Sequence, residues 1–205
     1  MASKQSTMSF SVLRKGDALL LLGGNECVQL LHSAVLSALT AEEGNAFWID
    51  GCNAFNPYTL VEAAERYGMD ADGLLQRIFI ARAFTAHQLN AIAALLPEKA
   101  VREHASIIAV AGVAELFVSD VRWQEGLDML SSTIANLLTA ARHAHCWLLL
   151  STEAEKALVD MERYAAIHTI ARGAAFSEVS VDGADMFFTG TGREMQASLS
   201  DYGAI

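Results

Sequence analysis

Proline is nearly missing from this chain and cysteine is rare, with two and three residues respectively among 205. So little proline leaves no extended, rigid linker. With 53% hydrophobic and 19% charged residues, the composition is that of a closed core and not of a disordered segment. Cys27, Cys52 and Cys146 lie far apart and form no CxxC pair, which argues against a zinc site and leaves free thiols in a reducing compartment as the expected state. Apolar runs such as Ala18–Leu22 fall far short of the roughly 20 residues that span a bilayer. The segment up to Arg14 has no apolar stretch of signal-peptide length, so a cytoplasmic location is expected. Basic charge is also scarce: 14 Lys and Arg against 24 Asp and Glu give a net −10. That balance disfavours the broad basic face that nucleic acids require, leaves a local basic patch open, and suits solubility.

What is present is a strong alternation of apolar strands and amphipathic helices. The organising stretch is Ala18–Leu22 followed by Gly23-Gly24-Asn25-Glu26 and then Cys27 to Leu39. It reads as a buried strand, a glycine turn and a helix whose apolar residues Val28, Leu31, Val35 and Leu39 share one face. In α/β proteins such a turn is where backbone N–H groups and a Lys grip phosphate, yet this one has no Lys.

Along the chain, Phe10–Leu13 is expected as an edge strand and 46–50 as a second buried strand. Pro57 opens a helix to about Tyr67, and a short helix or turn follows at 72–76. Residues 77–82 form a third strand, and 85–98 a helix with Leu89, Ile92, Leu95 and Leu96 inward. Ala105–Ala111 is apolar but for one Ser, as a central parallel strand should be. A loop over 113–120, a long helix over 122–143 and a fifth strand over 145–150 come next. Residues 151–164 are charged and partly helical; 165–172, 174–181 and 184–189 read as antiparallel strands with Asp182-Gly183 as a hairpin turn. The tail from Gly190 is weakly patterned. There is no repeat and no linker, so residues 1–205 are read as one domain.

Parallel strands linked by helices require right-handed crossovers and helices on both faces. Ligands of such sheets bind beyond the C-terminal strand ends. That rule directs attention to 23–26, 50–56, 111–115 and 151–153.

The stretch Phe47-Trp48-Ile49-Asp50, Phe55-Asn56-Pro57, Leu60 to Asp70 and Leu75 to Phe84 resembles the ATPase core of the RecA/RadA/RadB recombinases in order and spacing. With strand 107–110 the likeness extends to about Thr152. It implies a RecA-like, P-loop-type three-layer α/β fold with a mostly parallel sheet and antiparallel C-terminal strands. The chain starts at that core, so the helical N-terminal DNA-binding domain of longer recombinases is expected to be absent.

Carried over one at a time, the family's catalytic positions depart from its pattern. The phosphate loop should read GxxxxGK[ST], but Gly23-Gly24-Asn25-Glu26-Cys27-Val28-Gln29 has neither Lys nor hydroxyl and reads as shortened. The catalytic Glu falls at Cys52, the magnesium-linked Asp at Ala111 beside Gly112, and the polar sensor Gln near Glu153. Phosphoryl transfer rests on positioning and charge stabilisation by these groups. Glu26 adds an independent argument: at a helix start its carboxylate answers the free N–H groups itself and repels phosphate, or it is merely a favourable helix-start residue. The expected site therefore has no catalytic residue, no cofactor and no metal, and Gly23, Gly24, Asn25, Glu26, Cys52, Ala111 and Glu153 mark a degenerate nucleotide site.

Family DNA loops correspond here to 119–126 and 153–163, the latter with four acidic and two basic residues. Trp123 beside Arg122 is of the type that stacks on bases, though such a Trp is more often a packing or partner contact. His143, His145 and Cys146 straddle a helix end and need not converge on a metal. Asp50 alone makes no general-base dyad; Ser151-Thr152 and His168 form no evident nucleophile–base pair. Gly190-Thr191-Gly192-Arg193 reads as a turn. The resulting expectation is a catalytically inactive recombinase-like protein, a pseudo-ATPase working through protein contacts in DNA recombination or repair. Its partner would be a recombinase or a second copy; self-association would follow from exposed apolar surface around Phe10, Trp123 or Phe187–Phe188. The alternatives are a SulA-like regulator of another assembly such as cell division, an ATPase with a rebuilt site, and a single-strand DNA binder.

Overall fold

A computed structural model describes residues 14–119, 121–152, 176–182, 185–190 and 193–198. Strand β1 (Ala18–Leu22) leads into helix α1 (Asn25–Ala41), then β2 (Asn45–Asp50), α2 (Pro57–Arg66), α3 (Ala71–Gln76) and β3 (Ile78–Arg82). The chain continues through α4 (Ala86–Arg102), β4 (Ala105–Ala111), α5 (Glu115–Ser119), α6 (Trp123–Ala144) and β5 (Trp147–Thr152). Strands β6 (Phe176–Asp182), β7 (Asp185–Gly190) and β8 (Arg193–Ser198) follow.

These strands form one sheet in the order β3-β2-β4-β5-β1-β6-β7-β8. Pairing is parallel from β3 to β6 and antiparallel from β6 to β8. Because side chains alternate across a strand, β4 sends Ile108 and Val110 into one apolar layer and Ile107, Ala109 and Ala111 into the other. The first layer is closed by α4 and α6, through Leu89, Leu96, Leu130 and Leu137. The second is closed by α1, α2 and α3, through Leu30, Leu31, Leu60 and Leu74. That is the expected three-layer α/β arrangement.

Helix boundaries follow local chemistry. Asn56 caps α2 by accepting the Tyr58 N–H at 3.1 Å, with Pro57 in the first turn, and Thr85 caps α4 by accepting from Gln88 N–H at 3.2 Å. At the end of α6 His145 takes the left-handed conformation, φ 52°, and the Cys146 N–H returns to the Ala141 carbonyl at 3.0 Å. The first turns of α1 and α6 hold Glu26 and Glu125, and the last turn of α4 holds Lys99 and Arg102, each charge matching the adjacent helix end.

Several expectations need correction. Leu95 is 71% exposed; the buried stripe of α4 is Ala86, Leu89, Ala93, Leu96 and Ala100, which leaves Leu95 on the solvent side. The segment 113–120, read as a loop, contains α5. The strand over 174–181 is not antiparallel at its junction with the core: β6 pairs parallel to β1, Leu20 opposite Glu178. The weakly patterned tail contains β8, whose Arg193 pairs with Gly190. Asp182 pairs with Asp185, as the hairpin requires. Ser151 and Thr152 belong to β5. The strands expected over 10–13 and 165–172 lie outside the described residues. Among the described residues, no helix is long and apolar enough to cross a membrane.

Candidate functional site

The C-terminal ends of β1, β2, β4 and β5 bring the marked loops together. Only Gly23 and Gly24 separate the end of β1 from the start of α1. Gly23 donates its N–H to the Thr152 carbonyl at 3.2 Å, and Cys27 N–H closes on Gly24 O at 3.1 Å. This join is a tight step from strand to helix. The carboxylate of Glu26 folds back over it, with Oε2 3.3 Å from where a Cβ on Gly24 would stand. Behind it Cys27 is buried, and burial first, then the carboxylates of Glu26 and Glu115, push its thiol up to about 12. Glu26 and Glu115 are two acidic groups in the first turns of α1 and α5.

The loops after β2 and β4 close on each other. Gly51 N–H donates to the Ala111 carbonyl at 2.8 Å. A Cβ on Gly51 would stand 2.6 Å from Gly112 O, and one on Gly112 would stand 2.7 Å from Cys52 Cβ. Gly112 also has φ +72°, a conformation that suits glycine. Cys52 and Ala111 are thus neighbours at the same rim, Cys52 exposed and Ala111 fully buried. Val113 N–H donates to Ser151 O at 2.9 Å, and Ala114 N–H donates to Glu115 Oε2 at 3.0 Å. The position of Glu153 lies outside the described residues.

Asp50 ends β2 with a buried carboxylate, and the structure shows what holds it there. Oδ1 accepts the Ala54 N–H at 2.8 Å and Oδ2 accepts the Phe55 N–H at 3.1 Å, with Arg82 Nε 3.5 Å away. The carboxylate therefore organises the loop 51–56.

Two side chains that the sequence does not single out also bear on this edge and its opposite. His32, buried in α1, has Nδ1 2.8 Å from Val28 O and Nε2 3.2 Å from Asn56 N. A carbonyl can only accept and an amide N–H can only donate, so the ring is neutral with its proton on Nδ1. It packs against Trp48 and Phe55, ring centres 4.4 and 5.7 Å away. Arg77 donates to the carbonyls of Leu39, Glu42 and Gly44 at the end of α1. The one visible signal for His32 is a polar residue on an apolar helix face. Arg77 carries none, because its partners are backbone atoms more than thirty residues away.

The other residues singled out do not assemble. His143 and His145 are exposed, whereas Cys146 is buried with its thiol pushed up to about 12 by desolvation. Among the described residues, no group of three or more His, Cys, Asp or Glu is placed to share a metal. Trp123 is the first residue of α6, next to exposed Arg122. Ser151 and Thr152 are buried at the end of β5, and His168 lies outside the described residues.

The Rad51 family model matches residues 25–145. The chain is 32% identical over 117 residues to "Meiotic recombination protein DMC1 homolog A" of Oryza sativa subsp. japonica, covering 54% of this chain and 34% of that protein. It is 32% identical over 141 residues to "Meiotic recombination protein DMC1 homolog" of Lilium longiflorum, covering 66% and 37%. It is 31% identical over 121 residues to "DNA repair protein RAD51" of Saccharomyces cerevisiae, covering 55% and 29%. The matched region spans about a third of the length of these relatives.

Proposed function

We propose, from the premise that the chain belongs to the Rad51 family, that it is a catalytically silent member acting through protein contacts in DNA recombination or repair. The observation that carries this reading is the two-residue join between β1 and α1. A phosphate-gripping loop needs several residues to wrap an anion before the helix begins, with a Lys at its end. Here the strand passes into the helix through Gly23 and Gly24 alone, and Glu26 faces back over the step.

The remaining positions support the same reading. A thiol at Cys52 cannot orient an attacking water as a carboxylate does, and the Ala111 methyl cannot hold magnesium through a water or an oxygen. The Gly51 N–H bond to the Ala111 carbonyl ties these two loops together, and a Cβ at Gly51 or Gly112 would collide with the facing loop. Asp50, the acidic residue nearest them in sequence, is committed to Ala54 and Phe55. A setting in recombination or repair is favoured by the names of the relatives, and in that setting the partner is read as a recombinase or a second copy; a cell-division regulator has no such support.

Calorimetric titration of the whole chain with ATP and magnesium tests the silent site. No saturable heat is expected, and a micromolar Kd would sink the reading. Co-elution with a Rad51-family recombinase tests the contact role. A complex that forms without nucleotide is expected, and separate elution from both the recombinase and further copies of the chain would count against it.

A further inference from the structure

The loop 51–56 is held from two sides by different chemistry. Asp50 accepts from Ala54 and Phe55, whereas Asn56, the residue that caps α2, gives its N–H to His32. We propose that His32 is a proton-operated latch: neutral, it fastens the loop 51–56 and the start of α2 to α1, and on protonation it lets go of the Asn56 amide.

The geometry makes the switch all-or-none for that bond. Nδ1 is already committed as donor to Val28 O, so Nε2 is the ring's one acceptor. A proton on Nε2 turns the acceptor into a donor facing a donor, and ring and amide must separate. The ring cannot move away without disturbing Trp48 and Phe55, which pack on it. The Trp48 Nε1 atom is itself buried and has no hydrogen-bond partner, so this pocket offers little to receive a second proton donor. Asp50, from β2, is the charged group felt by the ring, and Arg82 of β3 lies beside that carboxylate. Desolvation lowers the His32 pKa from its ordinary 6.5, outweighing the opposing pull of the Val28 carbonyl and of Asp50. The sign follows. A group held neutral in the folded state contributes fully above the ordinary value, and stability is lost as pH falls from there through the lowered folded value.

The test is residue-resolved hydrogen exchange on the full chain, corrected for the intrinsic effect of pH. As pH falls from about 6.5 to the His32 midpoint, protection of the Asn56 amide should fall by up to about tenfold per pH unit and then level off, while Ala54 and Phe55, bonded to Asp50, keep theirs. His32→Gln retains a neutral acceptor, and with it Asn56 protection should no longer respond to pH. Should that variant fail to fold, the ring signals of the unmodified protein still decide: a neutral imidazole protonated on Nδ1, with its midpoint below 6.5. A pH-insensitive Asn56 amide, an unchanged pH response in His32→Gln, or a His32 already charged at neutral pH would each overturn the latch.

Discussion

The two ends of the central sheet are fastened by side chains in opposite hydrogen-bonding roles. At the N-terminal strand ends, where helices finish, cations and donors meet carbonyls. Arg77 reaches the last carbonyls of α1, Asn45 donates to Glu103 O at 2.6 Å, and Lys15 pairs with Glu42 while lying 4.7 Å over the Trp147 ring. At the C-terminal strand ends, where helices begin, acceptors meet N–H groups: Asp50 takes those of Ala54 and Phe55, Glu115 that of Ala114, and His32 that of Asn56. Helix ends leave N–H groups bare at one edge and carbonyls at the other, so a parallel α/β fold always offers an anion site at the same edge. In this chain, N–H groups of Ala54, Phe55, Asn56 and Ala114 at that edge are answered by its own acceptors.

The sharpest way to break this comparison is to remove one fastening from each edge. Asp50→Ala should be the costlier change, about 3–5 kcal/mol in urea unfolding, because it strands two N–H groups and Arg82 beside a buried position. Arg77→Ala should cost about 2–3 kcal/mol, since its part-buried carbonyl partners can recover water. If Asp50→Ala instead stays within about 1 kcal/mol of the parent, the carboxylate is dispensable to the loop and the C-terminal edge has an acidic group to offer a ligand.

A smaller effect tests whether the two rim loops close as tightly as the distances say. Gly112→Ala places a methyl 2.7 Å from Cys52 Cβ on a backbone at φ +72° and should cost about 2 kcal/mol. Adding Cys52→Gly removes the side-chain part of the clash but neither the 3.0 Å approach to the backbone N of residue 52 nor the dihedral strain, so a double-mutant cycle should return a coupling of about 1 kcal/mol. Strict additivity would mean that the loops stand apart in solution, with room between them that the proposed silent site does not have.

Much of the scaffold is legible in the sequence, and the reason is periodicity. Ala105–Ala111 shows its own bounds because a strand buried on both faces must be apolar almost throughout. Pro57 and the apolar spacing of α1 mark two helices in the same way. Leu95 is ambiguous because a Leu–Leu pair at 95 and 96 offers a helix two registers, and the small residues Ala93 and Ala100 decide which one packs. The direction of β6 is hidden because a short strand carries no mark of its partner; parallel pairing with β1 is settled by where the chain returns. At the site, the nearness of the loops holding Cys52 and Ala111 can be read from the strand ends, whereas the roles of Arg77 and His32 cannot. Their partners are backbone atoms, and backbone is the same at every residue.

The smallest predicted effect concerns charge on the open surface of the C-terminal edge. His87, near the start of α4, lies 3.9 Å from Glu125 in the first turn of α6, with side chains 66% and 52% exposed. Water and salt screen such a pair. A His in the first turn of a helix would, if protonated, be poorly placed against the dipole, so what a charged pair contributes would be offset within α4 itself. His87→Ala should therefore leave stability within about 0.5 kcal/mol of the parent and should not change its salt dependence. A loss above about 1 kcal/mol that fades as salt is added would show that exposed charge also fastens this edge. The contrast would then no longer be between buried acceptors and buried donors alone, and the helix starts would have to be treated as one electrostatic network.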